Sequence, residues 1–325
     1  MTQLHLMPVQ FGPIAGDSSK QVVTHDKRDV TIQLEVDAHA AQALLPTWTG
    51  RDSKTYGYRP LPIGPSGKPV LFVNYTQERD VEYMAGGGYN EVEFYLSAEF
   101  VGENAWDFEG RKCDTAHGMF AVLLLPSHLI PLLVGREALG TPKHLADVTD
   151  VVIEKMFPDD AQLSGWFEAR NKGGGAFVAG CLRNIAPVPY EVLAEPLPEF
   201  PLLPEQEGWA PGSSCEPGFK FLLWKYVVAG DWASMKPDLS YHLAGTPNGA
   251  MGELSQPMAG DGNIVFPCVL DPIEHSNFAP AFAAVRNLIE HHGSVFPGNV
   301  LVRHYSNAYR AQDLHIMDGP RRPAR

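Results

Sequence analysis

Cysteine is scarce in this sequence, and its few copies lie far apart. The four cysteines are Cys113, Cys181, Cys215 and Cys268, and no two are close enough in sequence to form a short metal-binding clip. We therefore expect free thiols, no metal site and a cytoplasmic protein.

Positive charge and long apolar runs are also scarce. The chain has 25 Lys and Arg against 38 Asp and Glu, a net charge of −13, which argues against a nucleic-acid partner. The best apolar run, Phe120–Leu125, ends at Pro126 and is far shorter than the roughly 20 residues of a membrane span. The N-terminus has neither a basic start nor a continuous apolar stretch. We expect no membrane segment and no signal peptide.

Short alternating segments and turn residues are abundant in the 325 residues, which include 31 Gly and 28 Pro. Residues 30–36 alternate between apolar and polar, the period of a strand with one buried face. Asp37 has the position of an N-cap for a helix over Ala38–Leu45, and Pro280–His291 has helical spacing. Many short strands and few helices predict a mainly β fold with minor α (α+β), an antiparallel barrel or sandwich.

Several well-known catalytic patterns are missing. No glycine-rich phosphate loop, dinucleotide fingerprint, His-Glu-x-x-His zinc motif or Gly-x-Ser-x-Gly elbow occurs. The runs Gly86–Gly88 and Gly173–Gly175 are interpreted as turns.

The segment GREALGTPKHL, over Gly135–Leu145, contains a candidate nucleophilic lysine. It follows the apolar run LIPLLVG. Pro142 fixes the backbone just before Lys143. The residues alone leave two interpretations, a lysine made nucleophilic by burial or an ordinary surface lysine in a turn. Only a neutral amine attacks a ketone, and an apolar pocket favours the neutral form of a lysine.

This segment resembles the active-site stretch of the acetoacetate decarboxylase family, in which a Gly-Arg-Glu run leads to a Pro-Lys pair whose lysine forms a Schiff base. A second segment, Gly87–Glu91 (GGYNE), resembles the family's Gly-x-Tyr-Thr-Glu motif. Weaker likeness covers most of residues 25–305. The resemblance implies a cone-like β-sheet, a Schiff base on Lys143, an active-site carboxylate at Glu91, no cofactor and a homo-oligomer.

It also implies a domain layout. We expect an irregular lead-in at 1–24, a single domain at 25–305 and a tail at 306–325. The chain is longer than a typical member of the family, chiefly through insertions at about 50–69, 100–117 and 186–217.

The sequence departs from the family pattern at three places. His144 stands where the family has a second lysine, and being largely neutral near pH 7 it is a weaker neighbouring cation. The second active-site Glu that the family carries on the preceding strand is missing from Val70–Tyr75, and Glu78 lies just beyond. The family's upstream Arg aligns with either Lys27 or Arg28.

The remaining candidates are supporting residues. Arg136 and Glu137 are expected to hold each other and the lysine-bearing loop, and Tyr89 to line the pocket. Glu91 itself has two interpretations, because Glu91, Glu93 and Glu99 share one face of a predicted strand. That face could be exposed to solvent, or Glu91 could move a proton or orient the substrate.

These residues and the resemblance predict a cofactor-independent carbon–carbon lyase acting on a small keto acid. Decarboxylation of a β-keto acid is the leading expectation. A Schiff-base aldolase-dehydratase or cyclase acting on α-keto acids is the alternative enzyme, and a non-catalytic small-molecule binding protein on the same fold is the alternative outside enzymes.

Overall fold

A computed structural model describes much of the chain after residue 20. The described residues are 21–108, 111–136, 141–149, 163–170, 176–187, 208–210, 220–228, 237–245, 258–259, 265–269, 279–289, 294–310 and 315–321. The predicted strand Val151–Lys155 and the glycines 173–175 lie outside them.

The first half of the chain supplies the strands that carry the candidate site. They are β1 (Gln21–Glu35), β2 (Thr47–Thr49), β3 (Thr55–Pro60), β4 (Val70–Val81), β5 (Gly87–Phe108) and β6 (Arg111–Pro126). A short 3-10 helix at Glu82–Met84 and Gly86, with φ of 81°, form the turn from β4 to β5. The left-handed backbone at Gly86 explains a glycine there.

The rest of the described chain supplies the other strands. They are β7 (Asp147–Val148), β8 (Leu163–Arg170), β9 (Ala176–Pro187), β10 (Lys220–Val228), β11 (Pro237–Gly245), β12 (Met258–Ala259), β13 (Val265–Val269), β14 (Ser294–Arg310) and β15 (His315–Arg321).

These strands form one large sheet in the order β15-β11-β10-β6-β5-β4-β1-β14-β12-β9-β8-β7, with β13, β2 and β3 paired at its sides. Pairing is antiparallel except between β10 and β6, which run parallel over three residue pairs. The predicted mainly β class is confirmed. A closed barrel is not formed by the described strands, because β15 and β7 end the sheet without pairing to each other.

The helices are short. Helix α1 (Ala38–Gln42) begins where predicted, since the Asp37 carboxylate accepts a hydrogen bond of 2.9 Å from the Ala40 backbone N–H. Helices α2 (Leu129–Val134) and α3 (Ala279–Asn287) are the others with regular α geometry in the described residues. No helix there is long and apolar enough to cross a membrane.

The apolar face of β1, β4 and β5 forms the main core. Alternate residues of each strand are fully buried on this face: Val30, Ile32 and Leu34, then Leu71, Val73 and Tyr75, then Val92, Phe94 and Leu96. Burying each such side chain contributes roughly 1.5–3 kcal/mol. The opposite face of the same strands is also largely buried, but it carries polar side chains.

Two predicted boundaries differ from the structure. Residues 21–24, expected in the lead-in, belong to β1 and pair with β14 from Gln21 opposite Arg310. The expected tail contains the end of β14 and all of β15, which pairs with β11. Residues 100–117 lie mostly in the far part of the β5–β6 hairpin, and their status as an insertion stays a prediction. Each of these stretches is ordered by a partner strand, which a local pattern cannot reveal.

Cys113 also differs from expectation. It is buried on β6 and disulfide-bonded, so the prediction of four free thiols is wrong. The spacing of cysteines in a sequence can reveal a short metal-binding motif. It cannot reveal a disulfide between cysteines that the fold brings together from distant parts of the chain. A disulfide is more typical of an oxidising compartment, which weakens one argument for a cytoplasmic location.

The core makes a direct prediction about stability. Phe94→Ala should lower the free energy of unfolding by about 3–5 kcal/mol, because Phe94 is fully buried and its removal leaves a cavity. Leu129→Ala is the control, since Leu129 is 53% exposed, and it should change stability by less than about 0.5 kcal/mol. Urea denaturation followed by circular dichroism measures both. Equal losses would contradict this placement of the core.

Candidate active site

The polar face of β1, β4 and β5 is arranged in lateral rows, because residues paired across antiparallel strands point to the same side of the sheet. The first row is Lys27, Glu78 and Tyr89, the second is Asp29, Thr76 and Glu91, and the third is Thr31, Asn74 and Glu93. Apart from Lys27 and Asn74, which are partly buried, all of these residues are buried. The fold thus places a band of charged and hydrogen-bonding groups out of water.

Lys143 reaches this band from a loop and pairs with Glu91. Its Nζ lies 2.8 Å from one Glu91 carboxylate oxygen and donates a hydrogen bond of 3.0 Å to the other. Lys143 is 7% exposed and Glu91 1% exposed. The interpretations of a surface lysine and a solvent-facing glutamate are therefore both wrong.

The loop that carries Lys143 is fixed to strand β6. The Leu124 N–H donates to the Pro142 carbonyl at 3.1 Å, and the His144 N–H donates to the Leu124 carbonyl at 2.8 Å. Gly135 packs against the lysine so closely that a Cβ there would lie 2.5 Å from Lys143 Cε. The glycine before the Arg-Glu pair thus makes room for the lysine side chain.

Asn90 anchors Glu91 to the same loop. The Asn90 backbone N–H donates to Ser127 Oγ at 2.8 Å, and the Ser127 N–H donates to the Asn90 carbonyl at 2.8 Å. The Asn90 side chain donates to the Val148 carbonyl at 3.2 Å. The strand end with the glutamate and the segments on both sides of Lys143 are therefore held together.

The electrostatics of Glu91 are unusual. Burial raises the pKa of Glu91 to about 7; the charge of Lys143 opposes this rise, and the nearby carboxylate of Glu93 adds to it. A carboxyl group in this range exchanges a proton readily near neutral pH, as a general acid or base must.

A second ion pair lies in the first row. Lys27 Nζ is 3.0 Å from one oxygen of Glu78, and Thr24 Oγ1 donates to the other oxygen at 2.9 Å. Burial would raise the pKa of Glu78, but the charge and hydrogen bond of Lys27 and the hydrogen bond of Thr24 outweigh it and hold that pKa below its usual value. Arg28 points to the other side of β1, where it pairs with Asp26 at 3.3 Å. Of the two aligned cations, only Lys27 lies in the band.

Sequence reasoning missed three carboxylates of this band, Asp29, Glu78 and Glu93. Glu78 lies on β4, which continues to Val81 rather than ending at Tyr75, and the continued alternation was the available signal. The alternation predicts Glu93 on the same face as Glu91, but it leaves open whether that face is exposed or buried.

Two of the other predicted residues, Tyr89 and His144, lie beside Lys143. The Tyr89 ring is buried, with its centroid 6.0 Å from Lys143 Nζ. His144 is partly buried, and burial together with the charge of Arg136 lowers its pKa, so it is neutral near pH 7. Arg136 is exposed, and Glu137 lies outside the described residues. In the part of the chain described, no group of His, Cys, Asp and Glu could hold a metal ion.

The environment of Glu91 predicts a titration near neutrality. With glutamate labelled by ¹³C at its carboxyl carbon, one resonance should titrate with a midpoint of about 7 and be protonated below it. This resonance should be missing from Glu91→Gln. The resonance of Glu78 should already be ionised at mildly acidic pH and serves as the internal control. A spectrum in which no glutamate titrates near neutrality would contradict the environment described.

Comparison with known proteins yields structures and no sequence relatives. No family model matches the chain, and no curated protein does. An acetoacetate decarboxylase-like enzyme from Sphingomonas wittichii RW1 is 14% identical, with a TM-score of 0.52 over 98% of this chain and 96% of that one.

Two further solved structures agree with it. An acetoacetate decarboxylase from Legionella pneumophila is 15% identical, with a TM-score of 0.51 over 98% of this chain and 92% of that one. Another acetoacetate decarboxylase is 13% identical, with a TM-score of 0.52 over 97% of this chain and 98% of that one. The fold implied by the two central motifs is thus confirmed, and the chain has the acetoacetate decarboxylase fold.

Proposed function

We propose that the protein is a cofactor-independent carbon–carbon lyase that forms a Schiff base between Lys143 and a keto acid and decarboxylates a β-keto acid. The observation that carries this proposal is the buried contact of 2.8 Å between Lys143 Nζ and the Glu91 carboxylate. This contact joins the Lys143 amine, which is removed from water, to the Glu91 carboxyl group, which can exchange its proton.

The pair itself can generate the nucleophile. Transfer of one proton from the Lys143 ammonium to Glu91 leaves a neutral amine and a neutral carboxylic acid. Burial disfavours charge, so the site lowers the cost of this neutral form. The amine attacks the ketone carbon, and the resulting carbinolamine loses water after Glu91 returns the proton to its hydroxyl group. The product is an iminium ion.

The iminium drives loss of carbon dioxide. Electrons of the bond between the α-carbon and the carboxylate move toward the positive nitrogen, which gives an enamine and free CO₂. Protonation of the enamine carbon and addition of water then release the ketone and restore Lys143. In this proposal Glu91, which contacts Lys143, gives and takes these protons, and Tyr89 forms one wall beside the amine.

The same iminium serves the alternative functions. On an α-keto acid, loss of a C–H proton gives an enamine that adds to an aldehyde without release of CO₂. A binding protein would hold the keto acid with no turnover. Assembly into a homo-oligomer and a cytoplasmic location stay predictions from the sequence.

Chemical trapping tests the Schiff base. Borohydride added with acetoacetate or pyruvate should reduce the iminium and leave a stable mass increment on the Lys143 peptide. Lys143→Ala and Lys143→Arg should abolish both trapping and turnover, because a guanidinium stays protonated. Lys112→Ala is the control, since Lys112 is exposed at the far end of the β5–β6 hairpin.

The products distinguish the candidate functions. Release of CO₂ from acetoacetate supports decarboxylation, whereas trapping with pyruvate and no CO₂ from β-keto acids supports the aldolase type. Label spread evenly over many lysines would favour the binding protein.

Glu91→Gln tests the proton transfers. The amide keeps the shape of the side chain but cannot carry the proton, so kcat should fall by about 10²–10⁴-fold while KM changes little. Glu82→Gln is a control with an exposed side chain. An unchanged kcat would remove Glu91 from the chemistry. Steady-state kinetics with a β-keto acid measures both variants.

A further inference from the structure

The third polar row contains a buried carboxylate, Glu93, that the proposed reaction does not use. Glu93 is 7% exposed. Asn74 Nδ2 donates to one of its oxygens at 3.1 Å, and Thr31 Oγ1 in turn donates to the Asn74 side-chain oxygen. The row therefore holds Glu93 in place through a neutral amide.

Glu93 differs from the other two glutamates of the band in its charge balance. Glu91 pairs with Lys143 and Glu78 pairs with Lys27. Within the described residues, Glu93 has no Lys, Arg or His nitrogen within 4.0 Å. A buried charge is costly unless it is paired, and here the protein supplies only an amide.

A second observation nearby indicates that a ligand belongs on this face. The Thr76 side chain is fully buried, and its hydroxyl group has no hydrogen-bond partner among the described residues. Thr76 lies directly opposite Glu91 and on the same face as Glu93, one row away. A buried hydroxyl without a partner is unfavourable, so a polar group of a ligand fits beside it.

The spacing relates Glu93 to the reacting atoms. Glu91 and Glu93 are two residues apart on one strand face, so their backbones are separated by roughly 7 Å. Lys143 Nζ contacts Glu91. A group bound by Glu93 would therefore lie only a few bonds along the substrate from the carbon that Lys143 attacks.

We propose that the substrate is a keto acid that carries a protonated amine a few bonds from its ketone, and that Glu93 binds this cation with Thr76 as a hydrogen-bonding neighbour. The amine supplies the positive charge that Glu93 lacks. This inference deepens the proposed function and rests on it, and it makes Glu93 a residue that determines specificity rather than one that takes part in the chemistry.

Two matched substrates test the inference. One is a β-keto acid that ends in a dimethylammonium group three methylenes from the ketone, since a tertiary amine cannot cyclise to a stable imine. The other is its neutral isostere with an isopropyl group in that position. Wild type should prefer the charged substrate by roughly 10–100-fold in kcat/KM, as expected for a charge-assisted hydrogen bond.

Variants locate the preference. Glu93→Gln should lose it, measured as the ratio of kcat/KM for the two substrates in the same variant. Because the Glu93 carboxylate also raises the pKa of Glu91, turnover of both substrates should change together. Borohydride trapping at Lys143 then shows that the variant folds with its site intact. Glu93→Asp keeps the charge and should keep part of the preference. Glu82→Gln, the same change in charge on an exposed side chain outside the band, should leave it unaltered.

The outcomes separate this inference from the proposed function. Trapping at Lys143 without any preference for the charged substrate, or a preference that survives in Glu93→Gln, would overturn the inference alone. Absence of trapping with both substrates would overturn the Schiff base. Calorimetric binding of the two corresponding ketones then decides the inference independently, and equal affinities for wild type would reject it.

Discussion

The Lys143 ammonium and the Glu91 carboxylate are both removed from water. Each charge has lost its hydration and is compensated by the opposite charge of its partner. Removing one partner of a buried pair commonly costs 3–5 kcal/mol, because the remaining charge stays buried. The surrounding structure therefore has to hold both side chains in place. Gly135 leaves the space for the lysine, and Asn90 ties the strand end to the loop. The reactivity proposed for the site follows from the same constraint, since neutralising the pair by internal proton transfer relieves it.

The Lys143–Glu91 pair is buried because the sheet has both of its faces buried, although the two faces differ in polarity. One face of β1, β4 and β5 is apolar and packs into the core, and the other is polar. A strand with one polar face normally turns that face to water. Here rows of paired residues supply hydrogen bonds and ion pairs to one another, as in the row of Thr31, Asn74 and Glu93. The fold thus creates a low-dielectric polar surface on which small differences in charge balance decide how each carboxyl group behaves.

Candidate residues that lie in motifs could be predicted from the sequence, whereas residues whose position depends on strand pairing could not. Lys143 and Glu91 were predicted from two short segments, and the period of two correctly placed Glu93 on the face of Glu91. Alternation cannot say which face is buried, so the sequence left open whether that face is exposed. Glu78 was missed because β4 was predicted too short, and strand length depends on the partner strand. The strand His315–Arg321 was missed for the same reason, since it forms by pairing with β11.

Two buried carboxylates on strand β5, one in the candidate site and one outside it, have pKa values shifted in opposite directions. Glu91 and Glu99 are both buried on the same face, about 26 Å apart along the strand. Burial would raise the pKa of Glu99, but hydrogen bonds from His117 and Arg59 outweigh it and hold that pKa below its usual value. Glu91 has a single lysine and faces the carboxylate of Glu93, and its pKa is raised. A carboxyl group with two basic partners keeps its charge and joins three strands, whereas one with too little positive charge around it exchanges a proton. The shortage of cations near Glu91 is the physical basis of the proton transfer proposed for this part of the sheet, and the same shortage at Glu93 is the basis of the cation binding proposed there.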